Sequence, residues 1–179
     1  MRYLSILCVM FYPSVADASD KLTPRPVDQS SAITLAHTVE RSAIARTLIQ
    51  QIQSSNVIVH IESSAHLPGG FGGTTRFVTS RGGYRYVRIT LAAGLPHRHR
   101  SAILAHELQH AWEVARSTAT GVEELKRLFE HEGHRAGEYY ETQAAIDVER
   151  SVWLELTGRA PRRRSGQVLQ AEPVVKFDH

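Results

Sequence analysis

Residues 101–115 read SAILAHELQHAWEVA, and inside them His106-Glu107-Leu108-Gln109-His110 forms an HExxH pattern. On an α-helix, residues four apart lie on one face about a turn apart, so His106 and His110 can point their imidazoles at one ion. Neutral imidazole is a good zinc ligand. Glu107, offset by one position, can reach a water on that metal without binding the metal, which is where a general base has to stand. Around the motif Ile103, Leu104, Ala105, Leu108, Ala111 and Trp112 are apolar. The helix is therefore expected to bury most of its circumference, and two histidines and a glutamate inside it incur a desolvation penalty unless they are partnered. A metal supplies that partner. The competing reading is a chance pattern in a chain with ten histidines, each facing solvent or making a single hydrogen bond.

Working outward, the helix is expected to run from about Ser101 to Arg116, after a Gly94-Leu95-Pro96 break and the stretch His97-Arg98-His99-Arg100. Upstream, residues 74–79 and 84–91 predict two strands joined by the turn Ser80-Arg81-Gly82-Gly83. In the second strand Val87, Ile89 and Leu91 share one face, and Tyr84, Tyr86, Arg88 and Thr90 the other. Residues 56–61 predict another strand, and residues 30–54 one amphipathic helix. Downstream, Val122–His131 and Ala136–Thr157 predict two more helices, the last stopped by Gly158 and Pro161. One helix, about three antiparallel or mixed strands, then three helices make an α+β layout.

The 179 residues suit one domain, and 42% hydrophobic with 22% charged content is the profile of a globular chain. A net charge of +3 is only mildly basic, and part of it is local to Arg162-Arg163-Arg164, a run that reads as a solvated segment. Nucleic acid is not an expected partner. Residues 1–18 read as a secretory signal: Arg2, a short apolar stretch from Tyr3 to Tyr12, then Ala16-Asp17-Ala18 as a small-x-small cleavage site. The apolar stretch is too short to anchor the chain in a bilayer. A secreted or periplasmic protein of 19–179 would follow. Cys8, the single cysteine, would leave with the signal, so any metal would be held by His, Glu or Asp. Residues 19–29 read as a loose N-terminus, 30–158 as the domain, and 159–179 as a mobile basic tail.

A catalytic zinc usually has three protein ligands and a water. An HExxHxxGxxH continuation is excluded, because Glu113 and Arg116 stand where its Gly and third His would be. The alternative is a glutamate from a later helix, Glu138 or Glu141. Glu141 is preferred, since Ala144 and Ala145 follow it one turn on and would let its helix approach the HELQH helix closely.

HELQH followed by Glu141-Thr142-Gln143-Ala144 resembles the gluzincin metallopeptidases, in particular their short members built of little more than a catalytic core. The resemblance covers about residues 55–157. It implies a small zincin-like domain, one Zn2+ per chain held by His106, His110 and Glu141, and Glu107 as catalytic base. It also implies that the strand before the motif helix, here Tyr84–Leu91, offers an exposed edge to an extended peptide. Peptides or unfolded proteins are the implied substrates. The chain departs from the family at Ala145, where several members have an Asp that orients a histidine. Asp147 and Glu113 are the substitutes weighed for that role. Family members stabilise the oxyanion with a His or Tyr, for which His134, Tyr139, Tyr140 and Tyr86 stand out, with His131 and Tyr84 also eligible. Two further readings are a zinc-binding but catalytically inactive zincin-like module and a metal-free interaction protein.

Overall fold

A computed structural model describes residues 24–136, 139–159 and 175–176. The expected signal, residues 1–18, lies outside them. The elements run β1 (Arg25–Pro26), α1 (Gln29–Arg41), α2 (Ala43–Gln53), β2 (Val57–Ser64), a short 3-10 turn (Pro68–Gly70), β3 (Gly73–Arg81), β4 (Tyr84–Ala92), α3 (His97–Arg116), α4 (Val122–Glu132), β5 (His134–Ala136), β6 (Tyr139–Glu141), α5 (Gln143–Thr157) and β7 (Val175–Lys176). The α+β layout is as expected, and the differences in the elements have physical causes.

The single helix expected over 30–54 is two. Ser42 sits in extended backbone (φ −124°, ψ 120°), ends α1 and caps α2 by accepting from the Ala45 N–H. Its hydroxyl also bonds Glu155 on α5. Residues 24–29, expected to be loose, carry β1, and Asp28 caps α1 in a reciprocal box with Ser31 while also accepting from the Ser63 N–H at 2.7 Å. The expected fourth helix starts seven residues late. Its first part is the β5–β6 hairpin, and Thr142 is the N-cap, accepting from the Ala145 N–H. Aromatic Tyr139-Tyr140 favours strand, and Thr is a strong capping residue.

The main sheet is mixed, in the order β1-β2-β4-β3-β7. β4 is parallel to β2 and antiparallel to β3. The strand expected to offer a free edge therefore lies inside the sheet, hydrogen-bonded on both sides. Next to it lies β3, which is met on its other side at Thr75–Arg76 by β7, Val175–Lys176 of the segment expected to be a tail. The β3–β4 turn uses Gly82 and Gly83 at φ 61° and 81°, a hairpin conformation that glycine adopts without steric cost.

One face of the sheet is covered by helices. Val57, Val59, Ile61, Phe77, Val87, Ile89 and Leu91 form the core there with Leu104, Leu108, Ala111 and Val114 of α3. Arg85 belongs to this inward face. Its guanidinium is buried and donates to the carbonyls of Val114, Ala115, Ser117 and Ala119, and to Asn56 Oδ1. It thereby satisfies acceptors that the end of α3 leaves open. Near the start of α3, Arg100 is also buried and donates to Ser30 and Ser63. Between them, every residue from Ser101 to Ala111 is buried. No helix among the described residues is long and apolar enough to cross a membrane.

Candidate metal centre

His106 and His110 lie one turn apart on the inner part of α3, each 0% exposed. Glu141 comes from the last residue of β6, not from a helix, and is 3% exposed. The structure gathers these three into a group that could hold a metal ion. Glu138, the alternative, lies outside the described residues.

The geometry fits a small tetrahedral ion. Bonds of about 2.0–2.1 Å at tetrahedral angles would place ligand atoms roughly 3.3 Å apart. Here His106 Nε2 is 3.2 Å from His110 Nε2 and 3.3 Å from Glu141 Oε1, and His110 Nε2 is 3.8 Å from that oxygen. The opposite ring nitrogens determine which atoms converge. His110 Nδ1 is 2.8 Å from Glu113 Oε2, and His106 Nδ1 is 3.1 Å from Glu149 Oε2. A carboxylate only accepts, so each Nδ1 carries the donated proton. Neutral imidazoles then aim both Nε2 lone pairs at one point, together with a carboxylate oxygen. Three electron-rich atoms facing one another in a buried site call for a cation. In the metal-free protein a proton is the available substitute. Burial pulls His106 down, but hydrogen bonds to Glu141 and Glu149 outweigh it and raise the imidazole to about 10.

Glu113 and Glu149 thus take the orienting role that Ala145 leaves vacant. Glu113, weighed from the sequence, accepts from three donors, His110 Nδ1, Thr142 Oγ1 and Gln109 Nε2. Burial raises it, yet the donors, His110 foremost, hold its carboxyl below the usual range. Asp147 does not take part: it accepts from Gln143 on an exposed face. Glu149 was missed, because it lies 43 positions from His106 with no local pattern to link them. Ala145 is buried as the close approach of α5 to α3 requires, whereas Ala144 is exposed.

Glu107 is 1% exposed. Burial, the largest influence, raises its carboxyl, with His106 and His110 opposing. Thr75 Oγ1 on β3 donates to Glu107 Oε2 at 2.7 Å. Gly73, at the start of β3, leaves the room the carboxylate occupies: a Cβ there would stand 2.8 Å from Glu107 Oε1. The Gly72-Gly73 pair is the sequence signal for this close approach, since glycine in a strand marks a place where another segment comes near the backbone.

The oxyanion candidates separate. Tyr86 lies on the sheet face opposite Arg85, which touches α3, so it faces away from the motif helix. Tyr140 donates its hydroxyl to Glu130 on α4. The side chain of Tyr139 lies outside what is described. His131 and Tyr84 are exposed, the first on α4 and the second at the hairpin end of β4. His134 is directly opposite Glu141 in the β5–β6 ladder. Opposed residues in an antiparallel pair share a face, with Cβ atoms about 4.5–5.5 Å apart, so His134, though exposed like His131 and Tyr84, is a neighbour of the third ligand. The chain matches no family model, no curated protein and no solved structure.

Proposed function

We propose that the protein is a zinc-dependent hydrolase of peptide bonds, with His106, His110 and Glu141 as ligands and Glu107 as general base. The observation that carries this is the convergence of both Nε2 atoms and Glu141 Oε1, with each opposite Nδ1 held by a carboxylate. Zinc bound there would supply Lewis acidity toward a water and a substrate carbonyl. Glu107 takes the proton from the attacking water and returns it to the leaving amine. Its burial raises the carboxyl above its ordinary value, which makes the carboxylate a stronger base toward the proton of the water. Thr75 holds its orientation by one hydrogen bond. His134 is the preferred donor to the oxyanion. The peptide class itself rests on the resemblance of HELQH and Glu141-Thr-Gln-Ala to the gluzincins, and export through residues 1–18 belongs to the same proposal.

A non-hydrolytic zinc module is the second reading, favoured by the burial of all three ligands to 3% exposure or less. One experiment separates the two. Elemental analysis and a casein digest are run on the wild type and on Glu107→Ala. One zinc in both, with turnover in the wild type only, is the expected result. Zinc at trace level in both overturns the metal reading. Stoichiometric zinc without turnover in either leaves the second reading. A His134→Ala variant should keep its zinc and lose about 10²–10³-fold in kcat, the size of one oxyanion donor.

A further inference from the structure

We propose that Glu113 is a positioning residue that sets two of the three metal ligands at once, His110 directly and Glu141 through Thr142. The proposal rests on reading His106, His110 and Glu141 as a zinc site. Glu113 stands one turn after His110 on α3, and its two carboxylate oxygens are used differently. Oε2 accepts from His110 Nδ1 at 2.8 Å. Oε1 accepts from Thr142 Oγ1 at 2.7 Å and from Gln109 Nε2 at 3.2 Å. The Thr142 backbone N–H then donates to Glu141 Oε1 at 2.9 Å, the same oxygen that faces both histidines. The path from one ligand to another is therefore three short hydrogen bonds inside a buried region, with Glu113 and Thr142 3% and 4% exposed.

The arrangement solves a particular problem. His110 belongs to α3, whereas Glu141 ends a hairpin strand, so helix geometry alone does not fix their separation. Thr142 is at the junction, as N-cap of α5 and neighbour of Glu141. A carboxylate on α3 that grips the Thr142 hydroxyl ties that junction to the motif helix. Glu149 performs only half of this task. Among the described residues it meets His106 Nδ1 alone, and its side chain is 27% exposed against 2% for Glu113, so water can take its place.

The test uses the full chain and measures zinc affinity by competition with a chromophoric chelator. Metal-free melting curves show which variants are folded. Loss of a partner that orients a metal histidine costs about 10–100-fold in affinity. Glu113→Gln should fall in that range, and Glu149→Gln should lose clearly less. Thr142→Val should weaken zinc as well, although Thr142 touches no metal, and Thr142→Ser should restore it. In the cobalt-substituted protein, Glu113→Gln should shift the visible bands and Glu149→Gln should shift them less. Should Thr142→Val fail to fold, the comparison of Glu113→Gln with Glu149→Gln decides alone. Equal or reversed losses in that pair overturn the proposal, as does a folded Thr142→Val with wild-type affinity. A wild-type chain that takes up no zinc removes the metal reading and this proposal with it, a result distinct from the other two.

Discussion

Gly73→Ala isolates the placement of Glu107 from its chemistry. Gly73 begins β3 outside the left-handed region, so alanine meets no backbone penalty and the effect is steric. The new Cβ would stand 2.6 Å from Ile103 Cγ2, 2.8 Å from Glu107 Oε1 and 3.0 Å from Glu107 Cγ, where ordinary contact begins at 3.4 Å. Both neighbours are buried, Ile103 and Glu107 being 6% and 1% exposed, so neither can swing out into solvent. Overpacking of this kind costs about 1–3 kcal/mol. For a chain of this size each kcal/mol lowers the melting midpoint by about 2–4 °C. A displacement approaching 1 Å in a catalytic group costs about 100-fold in rate, so turnover should fall much further than stability while zinc content stays at one. Gly94→Ala is the control, with nothing within 4 Å of its Cβ; it should be neutral or stabilise by about 0.4–1 kcal/mol. Scanning calorimetry, zinc analysis and peptide turnover on both variants make the comparison. A Gly73→Ala protein that melts and turns over like the wild type would refute the idea that β3 frames the base.

Arg85→Met should destabilise by about 3–5 kcal/mol, because buried carbonyls at the end of α3 lose a charged donor; urea unfolding measures it. In the metal-free protein His106 is raised to about 10, above its unfolded value of about 6.5. Its contribution is fully present below about pH 6.5 and is lost as pH rises to about 10. The metal-free melting midpoint should therefore carry a downward component over that window, which His106→Gln removes. Zinc needs the neutral imidazole, so its affinity should rise over the same window, as chelator competition at several pH values would show. Stripping zinc from a sample held at a thousand times Kd should remove about 4 kcal/mol of stability, or about 8–16 °C.

The site was legible where its residues are local. His106, His110 and Glu107 share one helix, and the apolar residues between them announced its burial. Glu141 was found as a residue but placed on the wrong element. Strand-forming Tyr139-Tyr140 and the capping pattern of Thr142-Gln143-Ala144-Ala145 lay inside what looked like one helical stretch. Glu149 and Thr75 were out of reach because their roles depend on packing between distant segments. Ser42 was hidden for a different reason: a serine within a helical pattern does not break it, and the break here is held by Glu155 from α5. The free edge was expected of β4 only through the resemblance, as the strand just before the motif helix, whereas the parallel pairing with β2 puts it inside the sheet.

Arg100 and Arg85 each bury a guanidinium, one near the start of the motif helix and one at its end. Together they make α3 a rod clamped to the rest of the fold at both ends. Its amides between Ser101 and Ala111 are therefore expected to exchange only when the whole domain opens. An ion entering between the histidines meets a cradle that is already preorganised and loses little entropy in ordering it. Metal uptake should therefore slow hydrogen exchange across the entire core by a common factor, with no separate change confined to α3.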